Sequence, residues 1–131
     1  MEIINIRTTQ RTELVDVTRL VQDAVDNLKL ENGRVTLFIP HTTAAITINE
    51  NADPDVKRDI LYEINKTIPF EDGYHHFEGN AAAHIKASLF GFSETIFVEK
   101  GLLRLGTWQG IYFCEFDGPR QRKIWLQTLS V

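Results

Sequence analysis

A single cysteine, Cys114, stands among the 131 residues. That excludes an internal disulfide and a cysteine-rich zinc site, and it fits a reducing compartment. There is no lysine or arginine block, and 14 basic residues face 18 acidic ones for a formal net charge of −4. A nucleic-acid partner held by phosphate neutralisation is therefore not expected, although a small basic pocket for a phosphorylated metabolite is allowed. No apolar run approaches the roughly 18 residues of a membrane span. The first residues, MEIINIRTTQ, alternate and carry charge early, unlike a signal or transit peptide. Repeats, low-complexity tracts and interdomain linkers are missing as well. What is present is a globular composition, 43% hydrophobic and 24% charged. The expectation is one soluble, cytoplasmic domain over residues 1–131, large enough to bury a core without staples.

Periodicity sets out the elements. Residues 2–8 alternate as a strand. Val17, Leu20, Val21, Ala24, Val25 and Leu28 recur on one face of a 3.6-residue period, a helix capped by Asp16 or Thr18 and stopped at Asn32-Gly33. Residues 34–39 and 42–49 read as two strands around Pro40-His41. Asp53-Pro54 opens a second helix, with Val56, Ile60, Leu61, Ile64 and Ile68 as its apolar side and Pro69 as its end. The loop EDGYHHFEGN follows, and Asn80 is placed to cap a third helix, AAAHIKASLF, that stops at Gly91. Strands at 94–99 and 102–105 flank Lys100-Gly101, and strands at 109–116 and 122–129 flank Asp117-Gly118-Pro119. Six or seven strands with three interspersed helices predict an α+β domain.

The chemistry concentrates in few places. Three of the four histidines, His75, His76 and His84, fall within ten residues, and His41 opens a strand. Imidazole is the commonest metal-binding side chain, yet the spacing fits no helical i,i+4 pair and no zinc finger. Solvated loop histidines and a helix-face histidine explain the same pattern. From His41 onward, strand parity puts His41, Thr43, Ala45, Thr47 and Asn49 on one face, short and polar enough for a wet contact with a ligand. A solvated edge strand with threonine in it for β-propensity is the competing reading. Glu50 ends this strand, as a general base, a metal ligand or a loop anchor. In Gly106-Thr107-Trp108-Gln109-Gly110, Thr107 and Gln109 share a face with Glu115 while Trp108 is expected to pack. The bracket lacks the lysine and helix of a P-loop. Cys114, between apolar neighbours, reads as an inert core thiol.

Together these residues resemble a known family. His41-Thr42-Thr43-Ala44 with Ile48-Asn49-Glu50-Asn51-Ala52-Asp53-Pro54 is similar to the first signature of the YjbQ family, also described as secondary thiamine-phosphate synthases. Glu78-Gly79-Asn80 and Ala83-His84-Ile85-Lys86-Ala87-Ser88 with Gly91 resemble its second. Ser93 through Val98, Gly101 and Gly106-Thr107-Trp108-Gln109-Gly110-Ile111 resemble its third. The resemblance implies a compact α+β domain with a mixed or antiparallel sheet and about three helices, assembled as a homotrimer. It further implies a histidine-lined pocket, with His41, His76 and His84 as ligands of a divalent metal, zinc, and magnesium carried by a diphosphate as the alternative. The implied activity joins a pyrimidine diphosphate to a thiazole phosphate and releases pyrophosphate. In that scheme His84, Glu50 and Glu115 are the catalytic candidates. Thr43, Asn49, Asn80, Thr107, Gln109 and Arg120 would hold the substrate. The alternative is a trimer that binds a phosphorylated metabolite without turning it over.

Overall fold

Two antiparallel sheets and a pair of helices stack in three layers in the computed structural model, which describes residues 1–131. The eight strands are β1 (Glu2–Arg7), β2 (Glu13–Asp16), β3 (Gly33–Phe38), β4 (Ala44–Glu50), β5 (Ser93–Glu99), β6 (Leu102–Leu103), β7 (Gln109–Glu115) and β8 (Gln121–Ser130). The helices are α1 (Thr18–Asn27), α2 (Pro54–Thr67) and α3 (Ala81–Phe90). One sheet runs β1-β8-β3-β5-β6 and the other β2-β7-β4. No helix is long and apolar enough to cross a membrane.

The three-stranded sheet is the middle layer, and its strands are buried on both faces as a consequence. Ala44, Ile46, Ile111 and Phe113 point into the main core with Val35, Leu37, Ile124 and Leu126 of the large sheet. The valine stripe Val17, Val21 and Val25 brings α1 into that same core. On the other face, Ala45, Tyr112, Cys114 and Leu14 meet Ala83 and Ala87 of α3, with Ile60 and Leu61 of α2 packed alongside. Alanines on both sides let α3 lie close to β4. The short, polar face expected for the strand after His41 is thus corrected: Ala45 is covered by a helix, and Thr43 is buried with its hydroxyl on Arg122.

Local signals explain most boundaries. Asp53 Oδ1 accepts the Asp55 amide at 2.9 Å, with proline at the start of α2. Asp16 accepts both the amide and the hydroxyl of Thr18 at the start of α1. That helix ends earlier than Asn32-Gly33. Lys29 takes the left-handed conformation, while Gly33 enters β3 so close to β8 that a Cβ would meet the Leu129 carbonyl. Lys100 and Gly101, both at positive φ, make the tight β5–β6 hairpin. The strands around Asp117-Gly118-Pro119 are not a hydrogen-bonded pair: β7 lies in the small sheet and β8 in the large one, so this connection carries the chain between layers.

Candidate functional site

That interlayer connection forms one wall of a cleft of about 870 Å³. The segment from Phe38 to Ala44 makes the opposite wall, and α3 closes a side with Asn80, His84, Ala87 and Ser88. Glu78, Asp117, Arg120 and Arg122 complete the polar lining. The cleft therefore brings His41, Thr43, Asn80, His84 and Arg120 together from three separate stretches of chain.

Its floor is an ion pair. Arg122 Nε lies 2.9 Å from Glu115 Oε1, and Arg122 Nη2 donates to Thr43 Oγ1 at 2.8 Å. The Thr8 hydroxyl donates to Glu115 Oε1 at 2.7 Å and the Asp117 amide to Oε2 at 3.1 Å. Burial alone would raise the pKa of Glu115, but these donors outweigh it and hold the carboxyl below its ordinary value. The carboxylate is thus committed to Arg122, Thr8 and the Asp117 amide, and it holds Arg122 in place.

The histidines differ from one another in what they can do. His41 Nε2 accepts the Lys123 amide at 2.9 Å. An accepting Nε2 carries no proton, which leaves Nδ1–H as the donor of the ring; burial, reinforced by the Arg122 charge, lowers its pKa. Asn80 donates through Nδ2 to Asp117 Oδ2 at 3.0 Å, which turns its Oδ1 toward His76 Nε2 at 2.9 Å. His76 must then donate from Nε2. Asn80 stands at the amino end of α3 without its side chain capping that helix, because this bridge uses it instead. The His84 ring has no hydrogen-bond partner within the chain, lies 5.4 Å from the His76 ring and lines the cleft. His75 is exposed in the loop.

The three histidines do not form a metal centre within one chain. No group of three or more histidine, cysteine, aspartate or glutamate side chains is arranged to hold an ion. The reason is local: the Lys123 amide occupies the one free lone pair of a neutral His41. Only His76 and His84 keep an available nitrogen near each other.

The chain and its fold are similar to those of other proteins. A model of the family described as "UPF0047 protein YjbQ-like" matches residues 2–131. The chain belongs to the YjbQ family. YugU, a UPF0047 protein of Bacillus subtilis, is 48% identical over 131 residues, covering 99% of both chains. A UPF0047 protein of Methanocaldococcus jannaschii is 49% identical over 125 residues, 95% of this chain and 91% of its own. The crystal structure of a YjbQ/UPF0047-family protein from Clostridium acetobutylicum superposes with a TM-score of 0.96 at 52% identity, covering 98% of this chain and 100% of that one.

Not every YjbQ signature residue reaches the cleft. Asn49 and Glu50 sit about 17 and about 20 Å along β4 from its first residue, by the ~3.3 Å rise of a strand. Glu50 pairs there with Gln109. Gln109 Oε1 accepts the Gly106 amide at 2.8 Å, and Gly110 leaves room for Asn51. Thr107, next to that turn, is exposed, and so is Trp108, which does not pack as expected because the turn points it outward. Within one chain this end is a structural turn, separate from the cleft. Arg122 and Asp117 are the cleft residues that sequence reasoning did not single out. Arg122 has the parity of Ile124 and Leu126 along β8, so a charge in the inward register was the available signal.

Proposed function

We propose that this YjbQ cleft binds a phosphorylated metabolite and that His84 exchanges a proton with it. The thiamine-phosphate-forming transfer is the reaction we assign to it first. The observation that carries the reading is the contrast between His84, whose ring is uncommitted, and its neighbours, whose polar atoms are fixed. Arg120 bonds Asp117 through Nε and one Nη only, which leaves its second Nη for an anion. The His41 Nδ1–H is a second, neutral donor. In the transfer, the bond from the pyrimidine fragment to its diphosphate breaks and a bond to the thiazole forms. Negative charge then grows on the departing pyrophosphate. Arg120 and His41 would stabilise that charge and a protonated His84 would donate to it. Zinc held by His76 and His84 would need further donors from elsewhere, whereas magnesium would arrive with the diphosphate. Neither ion is required by what the residues above do.

The competing reading is binding without turnover, and it has support in the fixed polar atoms around His84, since His41 Nε2 and the Glu115 carboxylate are already hydrogen-bonded. The test is synthesis of thiamine phosphate from the two phosphorylated halves by wild type and His84→Ala, with binding of each half measured on both. A transferase loses about a hundredfold or more in rate with little change in affinity. Equal rates would remove His84 from the chemistry, and no synthesis by either protein, with binding retained, would establish the binder. We also propose a homotrimer, because Ile3, Phe97 and Leu129 leave the outer face of the large sheet partly apolar and exposed away from the cleft. Sedimentation at micromolar concentration would show three subunits, and a monomer would refute it.

A further inference from the structure

The cleft has a second character besides its charges. Phe38 and Phe92 line it opposite Asp117 and Arg120, and both rings stay exposed, Phe38 at 38% and Phe92 at 58%. Their backbones are fixed: the Ile39 amide donates to the Phe92 carbonyl at 2.8 Å, where the chain leaves α3 through Gly91 at φ 92°. Phe38 sits across from Trp125 in the β3–β8 ladder, and the two rings stack at 5.5 Å. Phe92 meets Phe38 edge-on, also at 5.5 Å. Three rings thus brace each other into a rigid wall, and Phe92, at its end, keeps most of its ring uncovered. Nothing in the hydrophobic core requires these rings to remain open, since neither belongs to either core cluster.

We infer that this wall is a stacking subsite for a planar aromatic ring on the phosphorylated ligand, with Phe92 as the residue that selects the ring. The inference rests on the anion-binding reading of the cleft and adds to it a specificity that the polar residues cannot supply. Aromatic rings prefer offset or edge-on packing against another ring, a preference that a saturated ring of equal size does not share. Phosphate held by Arg120 and His41 would set the ring's distance from the wall, and Phe92 would reward planarity.

The test uses three probes, inorganic phosphate, phenyl phosphate and cyclohexyl phosphate, titrated calorimetrically into wild type, Phe92→Leu and Arg120→Gln. Wild type should bind phenyl phosphate about two- to tenfold more tightly than cyclohexyl phosphate. Phe92→Leu should lose that preference while binding inorganic phosphate as before; it keeps an apolar surface residue, so folding is not at stake. Equal affinity of wild type for the two esters overturns the stacking subsite and leaves the anion site standing. A preference that survives in Phe92→Leu overturns the role of Phe92. Failure of all three probes to bind, with no effect of Arg120→Gln, removes the anion reading and this inference with it. If Phe92→Leu changes the sedimentation coefficient instead of the selectivity, a second copy of the chain covers the wall and the inference is wrong.

Discussion

Arg122 and Glu115 face each other beneath the cleft, both almost wholly buried, and their pairing joins four parts of the chain. β7 supplies the carboxylate and β8 the guanidinium, while Thr43 and Thr8 bring in the approach to β4 and the residue after β1. Removing one partner leaves the other charge buried without compensation, which costs about 3–5 kcal/mol. Glu115→Ala and Arg122→Ala should each lose that much stability in urea. The joint replacement Glu115→Leu with Arg122→Met should lose far less than the sum, and additive losses would contradict the coupling.

The same pair sets the response to acid. Because the folded-state pKa of Glu115 lies below its ordinary value, the unfolded chain binds the proton more tightly. Its contribution to stability is therefore present above the ordinary carboxylate pKa, roughly 4, and is lost as pH falls through the folded-state value. Wild type should lose stability more steeply than the double replacement on acidification below about pH 4. Parallel curves for the two proteins would show that the pair contributes nothing to acid stability.

Lys86 makes a second prediction, at the alkaline end. Its side chain is buried on α3, with Nζ 2.6 Å from Asn65 Oδ1 and 4.1 Å from the Phe70 ring centroid, and it has no carboxylate partner. The Arg11 guanidinium lies on that same ring, at 3.5 Å. Burial, then the Arg11 charge, brings the Lys86 pKa from 10.5 down to about 8. Between those values the unfolded chain holds more protons than the folded one, so stability rises with pH across that window. The melting temperature of wild type should therefore gain on that of Lys86→Met between pH 7 and pH 9.5. Curves that keep a constant separation would show that Lys86 titrates normally.

How much of this was legible depends on whether a residue's role was local. The caps at Asp16 and Asp53, the valine stripe of α1 and the Lys100-Gly101 hairpin follow from neighbours within four positions, and each stands as the sequence indicates. Roles set by partners distant in sequence were not legible. Parity puts Thr43 on one face with Ala45, but α3 covers Ala45 while Arg122, 79 positions away, claims the Thr43 hydroxyl. Asn80 looks like a cap, yet Asp117, 37 positions away, and His76 claim its side chain. β2, four residues with charged ends, carries no periodic signal and exists because β7 offers it an edge. Glu115 could be read as a base until Arg122 and Thr8 are seen on it.

The Asn80 bridge gives a prediction about the loop. An amide satisfies both neighbours, donating to Asp117 and accepting from His76. Asn80→Asp replaces the donor with a second acceptor facing the Asp117 carboxylate, and like charges in contact repel. Hydrogen exchange over residues 71–80 should accelerate in Asn80→Asp more than in Asn80→Ala, which only loses the bridge. Protection equal to wild type in both would mean that the bridge does not order the loop.

Gly110 separates the structural end of the small sheet from the cleft. A Cβ there would collide with the Asn51 side chain, so Gly110→Ala must displace that side chain from Asp16 Oδ2, which it meets at 3.1 Å. The crowding and the lost bond should together cost about 1–3 kcal/mol, seen as a lower urea midpoint. The affinity of the cleft for phosphate should stay at the wild-type value, because the displaced group lies at the far end of β4. Loss of phosphate binding in a folded Gly110→Ala protein would show that this end, with Asn49, Glu50, Thr107 and Gln109, completes the cleft of a neighbouring copy. Unchanged binding with reduced stability would confine the glycine to its part in the turn.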